Sequence, residues 1–218
     1  MMEKAKKKSR AHTRYMNKAG IRVPGVTTIT GTEAKPALVK WANKLGLEGI
    51  DSSKYVDELA KIGTLAHYMA ECFITEKDPD FKDYSPDQIA VAETCMIKFY
   101  DWIEKHDFGL IGSELQLVSE KHQYGGTCDI YCKLDGIYTL IDLKTSKGLF
   151  PEHGTQVCAY AELLKENGMI VDEIKILRIG RSETEGFEIK EIFNRELQIE
   201  KFLALKRVYD INKILRKK

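Results

Sequence analysis

Asp142 and Lys144 flank Leu143 in the stretch Ile141-Asp142-Leu143-Lys144. Alternate residues of a strand share a face, so this carboxylate and ammonium project together, about 6–7 Å apart along the chain. Residues 127–134 and 137–144 both read as strands, joined by Asp135-Gly136, a pair that tolerates the positive φ angles of a tight hairpin. The hairpin brings the strand bearing Asp129 beside the one bearing Asp142. Carboxylates placed this way can hold a hard divalent cation, Mg²⁺ or Mn²⁺, rather than a soft metal. Such an ion activates water and neutralises charge developing on a phosphate, while the adjacent lysine orients or deprotonates the nucleophile. Taken alone, an Asp-x-Lys on a strand is more often a weak surface ion pair.

Three further features bear on the same reading. Gly63 and His67 fall one turn apart on a helical pattern, hence on one face. A mid-helix glycine costs about 1 kcal/mol, so close approach of another group is a reason to have one there. A lone helical histidine is more often packed or solvated than a ligand. Glu114 lies in an extended segment just before the hairpin, within reach of the same site; its plainer reading is an exposed polar position on an alternating strand. Gln156 and Tyr160 stand four apart on the helix after Lys144, offering an amide and a phenol that can bind phosphate oxygens or the lysine.

The elements that must position these groups follow from periodicity. Residues 21–30 are β-branched and broken by Pro24-Gly25, which predicts an extended segment with a turn. Pro36 opens a helix with Leu38, Trp41, Ala42 and Leu45 at helical spacing, stopping near Gly46. Ser52 or Ser53 caps a second, carrying Tyr55, Leu59, Ile62, Ala66 and Met69. Ser85-Pro86 starts a third that runs to about 106. Strands are then predicted over 110–118, 127–134 and 137–144, a helix over 152–167 ending at Gly168, and strands over 172–179 and 186–193. Asn194 opens a closing amphipathic helix to about 216. This order describes an α/β fold with a mixed central sheet flanked by helices.

The 218 residues are 43% hydrophobic and 31% charged, enough for one domain with its own core and unlike a disordered chain. No apolar run approaches the ~20 residues that cross a bilayer, and no signal-peptide core is visible, so no membrane role is expected. Cys72, Cys95, Cys128, Cys132 and Cys158 are an odd, scattered set, which points to reduced thiols in a cytosol-like compartment. The net charge of +1 hides an asymmetry: without residues 1–14 and 213–218 the body holds 24 basic and 32 acidic side chains. Basic ends on an acidic body suit internal carboxylates with phosphate contacts at the edges, or simply solubilising tails. The expected division is a basic flexible arm over 1–20, a single domain over 21–212 and a basic tail over 213–218. Within the domain, 21–107 is helical, 108–193 forms the sheet core and 194–212 is the closing helix.

Read in order, Gly63-x-x-x-His67, Glu114, Gly125-Gly126-Thr127-x-Asp129, Asp142-x-Lys144-Thr145-Ser146 and Gln156-x-x-x-Tyr160 resemble the RecB-like branch of the PD-(D/E)XK nuclease superfamily. The resemblance covers about residues 60–180. Upstream, Val23-Pro24-Gly25-Val26-Thr27-Thr28-Ile29, then Leu38-Val39-Lys40-Trp41, is similar to the N-terminal signature of mitochondrial genome maintenance exonucleases and their phage and bacterial relatives. Gly25 stands where those relatives often carry serine. The resemblance implies a restriction-endonuclease-like αβββαβ core with an N-terminal helical extension. It implies that His67, Asp129, Asp142 and the Leu143 carbonyl ligate Mg²⁺ or Mn²⁺, and that Lys144 is the catalytic lysine. Glu114 becomes an outer or second-metal carboxylate, Gln156 and Tyr160 position the lysine and the nucleic-acid backbone, and Thr145 and Ser146 touch phosphate. Some RecB-like nucleases anchor an iron–sulfur cluster with one early and three late cysteines. Here none follows Cys158, and Cys128 and Cys132 lie about 13 Å apart on one strand, so no iron–sulfur cluster is expected.

The resemblance leads to a metal-dependent deoxyribonuclease, an exonuclease on single-stranded DNA with a free end, serving replication, repair or recombination. The cytoplasm of a bacterium or phage-infected cell is the expected location, ahead of an organelle. The alternatives are a structure-specific or restriction-type endonuclease of the same superfamily, and a nucleic-acid-binding module without catalysis. Retention of Asp129, Asp142 and Lys144 together argues against the latter. A replication or recombination protein as partner is compatible with this expectation, and the sequence names none.

Overall fold

In the computed structural model, which describes residues 13–216, the chain begins with a small antiparallel hairpin of β1 (Tyr15–Met16) and β2 (Arg22–Val23). Asn17 holds its turn: its Oδ1 accepts from Ile21 N at 2.8 Å and its Nδ2 donates to Gln123 Oε1 at 2.7 Å. Tyr15 packs on Gly125, and its hydroxyl meets Thr127 Oγ1 at 2.9 Å. Residues 13–20 are therefore part of the domain, which corrects the expected flexible arm over that stretch. Its residues 1–12 lie outside the described residues, as do 217–218 of the basic tail.

The second half of the extended segment predicted over 21–30 is instead a short helix, α1 (Val26–Thr30). Its β-branched residues disfavour helix, but burial decides: Val26 and Ile29, three apart, put one face entirely into the core. Next come α2 (Pro36–Leu47), α3 (Ser52–Ile74) and α4 (Pro86–Ile103). The cap of α3 is Asp51, one residue before the predicted serines, and its carboxylate accepts from Ser53 N and Lys54 N at 2.9 and 3.2 Å. α4 starts at Pro86 with a reciprocal Ser85–Gln88 capping box.

The sheet is a meander of β3 (Phe108–Ser119), β4 (Tyr124–Leu134) and β5 (Ile137–Lys144), extended by β6 (Glu173–Ile179) and β7 (Phe187–Glu191) in the order β3-β4-β5-β6-β7. The β4–β5 turn is Asp135-Gly136, with φ of 50° and 86°. β5 and β6 are parallel, which requires a crossover, and α5 (Pro151–Glu166) supplies it. α6 (Arg195–Leu215) closes the chain and takes up part of the basic tail expected from 213. The result is an α/β protein with a mixed five-stranded sheet flanked by helices.

Two apolar layers cover the sheet. On one face α3 and α4 pack Met69, Met96 and Phe99 against Ile141, Leu143, Leu177 and Ile179. On the other, α1, α5 and α6 pack Ile29, Leu163 and Phe202 against Leu140, Ile174 and Ile176. β5 and β6 thus alternate as strands should. β4 does not: Cys128 belongs to the α5 layer, whereas Ile130, two residues on, belongs to the α3–α4 layer. The ladder pairs Ser113 with Ile130 and Leu115 with Cys128 and passes over Glu114 and Asp129 between them. Glu114 sits there at φ 49°, so the two strands reverse faces at one point. Among the described residues, no helix is long and apolar enough to cross a membrane.

Candidate metal centre

That break in the sheet re-aims two carboxylates toward α3. Glu114 and Asp129 meet His67 there, and the ligand atoms of all three lie within 4.8 Å of one another. His67 Nδ1 stands 3.3 Å from Asp129 Oδ2. The same Oδ2 accepts from Leu143 N at 2.9 Å, which fixes the Asp129 carboxylate to the backbone of β5. Asp129 is buried and His67 nearly so. Ligands on opposite sides of an ion bonded at about 2.2 Å stand about 4.4 Å apart, so one imidazole and two carboxylates at this spacing fit a single metal ion. The cluster could therefore hold one. Ile130 and Leu143 supply apolar walls to the cleft beside it.

Asp142 and Lys144 share a face of β5 and form an ion pair, with Asp142 almost fully buried. Leu143 turns its side chain into the α3–α4 layer, so Asp142 projects to the α5 side, and it is not one of the three clustered ligands. Gln156 Nε2 donates to the Tyr160 hydroxyl at 2.9 Å, as their four-residue spacing requires. Burial, and then the charge of Asp142, push the Tyr160 phenol well above its ordinary range, so it stays protonated. Gly126 lets that ring in: a Cβ there would stand 2.6 Å from Tyr160 Cε1. Gly63 serves the facing helix in the same way, since a Cβ on it would lie 2.8 Å from Thr145 Oγ1, just after Lys144. All the sequence-selected positions thus gather at the β3–β4–β5 hairpins and the two helices over them, with the clustered ligands on the α3 side and Lys144 on the α5 side.

Two residues were missed. Glu71 lines the metal cleft one turn beyond His67, and its four-residue spacing from that histidine was the available signal. His153 lies in the first turn of α5, three before Gln156. Burial, with the charge of Lys144 next, lowers its pKa to about 4, so it is neutral at physiological pH. The five cysteines are free and buried, and burial raises the thiols of Cys128, Cys132 and Cys158.

No family model and no curated protein matches the chain. Among solved structures, one described as the crystal structure of SSO0001 aligns at 16% identity and a TM-score of 0.37. That alignment covers 62% of this chain and 63% of that one, and so loose a likeness carries no argument.

Proposed function

We propose that this chain is a metal-dependent deoxyribonuclease with a PD-(D/E)XK-type centre that hydrolyses single-stranded DNA from a free end. The observation carrying this reading is the convergence of His67, Glu114 and Asp129 within 4.8 Å, with Asp129 on the strand beside the buried Asp142 that pairs with Lys144. Mg²⁺ or Mn²⁺ bound by the three ligands would supply an activated water and a counter-charge for the phosphate. Lys144, fixed by Asp142, presents its ammonium to a non-bridging phosphate oxygen and offsets charge as the attacking oxygen bonds. Tyr160 stays protonated and Gln156 fixes its hydroxyl, so the phenol acts as a hydrogen-bond donor beside that pair. Digestion of end-labelled linear and circular single-stranded DNA with Mg²⁺, Mn²⁺ or EDTA tests the proposal. Linear strands should be degraded only with metal, and circles spared. Cut circles would make it an endonuclease, and bound but intact DNA in every condition a binding module.

A further inference from the structure

Two adjoining hollows of about 530 and 570 Å³ run between the β1–β2 hairpin, α1 and the last turns of α6. They share Thr28, Tyr209 and Lys213; Arg22 and Thr27 line one and Arg216 the other. No aspartate or glutamate lines either, although 32 of the 56 charged side chains in the body are acidic. Among the described residues Arg22, Lys213 and Arg216 form no ion pair, whereas Lys35, Lys175, Arg178 and Lys201 all do. Lys213 and Arg216 also offset the dipole at the end of α6. That does not account for Arg22, which comes from a separate strand, or for a lining of hydroxyls without an acid.

The wall of this groove is bonded to the strand that carries the candidate centre. Gly125 N donates to Pro24 O at 2.9 Å, Gly25 bridges Gly125, and Tyr15 Oη meets Thr127 Oγ1 at 2.9 Å. Asp129 follows Thr127 by two residues, about 7 Å along the strand. We infer that the groove seats the sugar–phosphate backbone of the single-stranded DNA on which the centre acts, an inference that rests on the nuclease reading. Arg22, Lys213 and Arg216 pair with phosphates, and the hydroxyls of Thr27, Thr28 and Tyr209 donate to phosphate oxygens.

The test is the salt dependence of binding. A fluorescein-labelled oligothymidylate of about 20 nucleotides is titrated with protein in EDTA, so that nothing is cut, at about 50 to 200 mM salt. Three phosphate contacts contribute about 2 to the slope of log affinity against log salt, or about 20-fold across that range. The triple variant Arg22→Gln, Lys213→Gln, Arg216→Gln should lose that much of the salt dependence and bind the oligonucleotide more weakly at the low-salt end. A second triple, Lys98→Gln, Lys105→Gln, Lys165→Gln, removes the same charge from exposed positions on α4, in the turn after it and on α5, and should leave the slope unchanged. Equal slopes for wild type and the groove variant, or equal flattening by both triples, would overturn the groove while leaving the nuclease reading intact. Wild type that neither binds the oligonucleotide at low salt nor cuts it with metal would overturn both.

Discussion

Replacing Gly126 by alanine tests whether the sheet glycine sets the position of Tyr160. The added Cβ would stand 2.6 and 2.8 Å from Cε1 and Cδ1 of Tyr160 and 3.0 Å from Cδ1 of Leu163. Carbon atoms prefer about 3.5–4.0 Å, so the ring must retreat by about 1 Å. Tyr160 and Leu163 are both buried, and overpacking of this kind costs about 1–3 kcal/mol. The strand gains back about 0.5–1 kcal/mol from losing a glycine, which leaves a net loss of about 1–2 kcal/mol. For a domain of this size that lowers the melting temperature by about 2–8 °C. A retreat of this size also pulls the phenol from Gln156, now 2.9 Å away, so cleavage should fall by more than stability alone explains. Gly46→Ala is the control. It lies in α2 with nothing within 4 Å of its added Cβ, and should stabilise by up to about 1 kcal/mol. Thermal unfolding and single-strand digestion are measured on both variants. A Gly126→Ala protein as stable and as active as wild type would refute the argument.

Asp142→Ala and Lys144→Ala should each lower turnover by orders of magnitude with the fold intact, and should differ in Mn²⁺ affinity. Calorimetry should show weaker binding for Asp142→Ala, which frees Lys144 as an unpaired cation near the centre, and unweakened binding for Lys144→Ala; equal losses would contradict their separate roles. If His67 is a ligand, wild type should prefer Mn²⁺ to Mg²⁺, and His67→Ala should lose both that preference and activity. An active His67→Ala enzyme with an unchanged preference would return the histidine to a packing role. The His153 pKa of about 4 lies below its ordinary 6.5, so the unfolded chain binds the proton first. Its contribution is fully present above about pH 6.5 and is lost as the pH falls toward 4. Denaturant unfolding across that window should decline less steeply in His153→Gln, and parallel declines would contradict the assignment.

Where local chemistry decides structure, the chain was readable. Asp135-Gly136 announced its turn, Ser85-Pro86 its helix start, and Gly63 its close contact. What escaped depends on partners distant in sequence. α1 forms from β-branched residues because Val26 and Ile29 are needed in the core, and β1 exists because Tyr15 finds Gly125 and Thr127 more than a hundred residues away. The break in the sheet was equally hidden. Nothing in Glu114 as a residue type signals φ of 49°, so strict alternation could not show that β3 and β4 reverse faces at Glu114 and Asp129. The same break explains why Asp129 joins His67 while Asp142 joins Lys144, a division that the hairpin alone does not reveal.

In the proposed nuclease, cleavage depends on a metal held by His67, Glu114 and Asp129. Asp129→Asn removes one carboxylate charge while keeping a side-chain oxygen that can accept from Leu143 N. Its digestion of an end-labelled single strand at saturating Mn²⁺, beside wild type with Mn²⁺ and with EDTA, is the most direct test. Wild type should give end-labelled products with metal alone, and the Asp129→Asn protein should stay folded and cut at least about a hundredfold more slowly. Wild type that cuts as fast in EDTA, or Asp129→Asn that cuts as fast as wild type, would contradict that dependence.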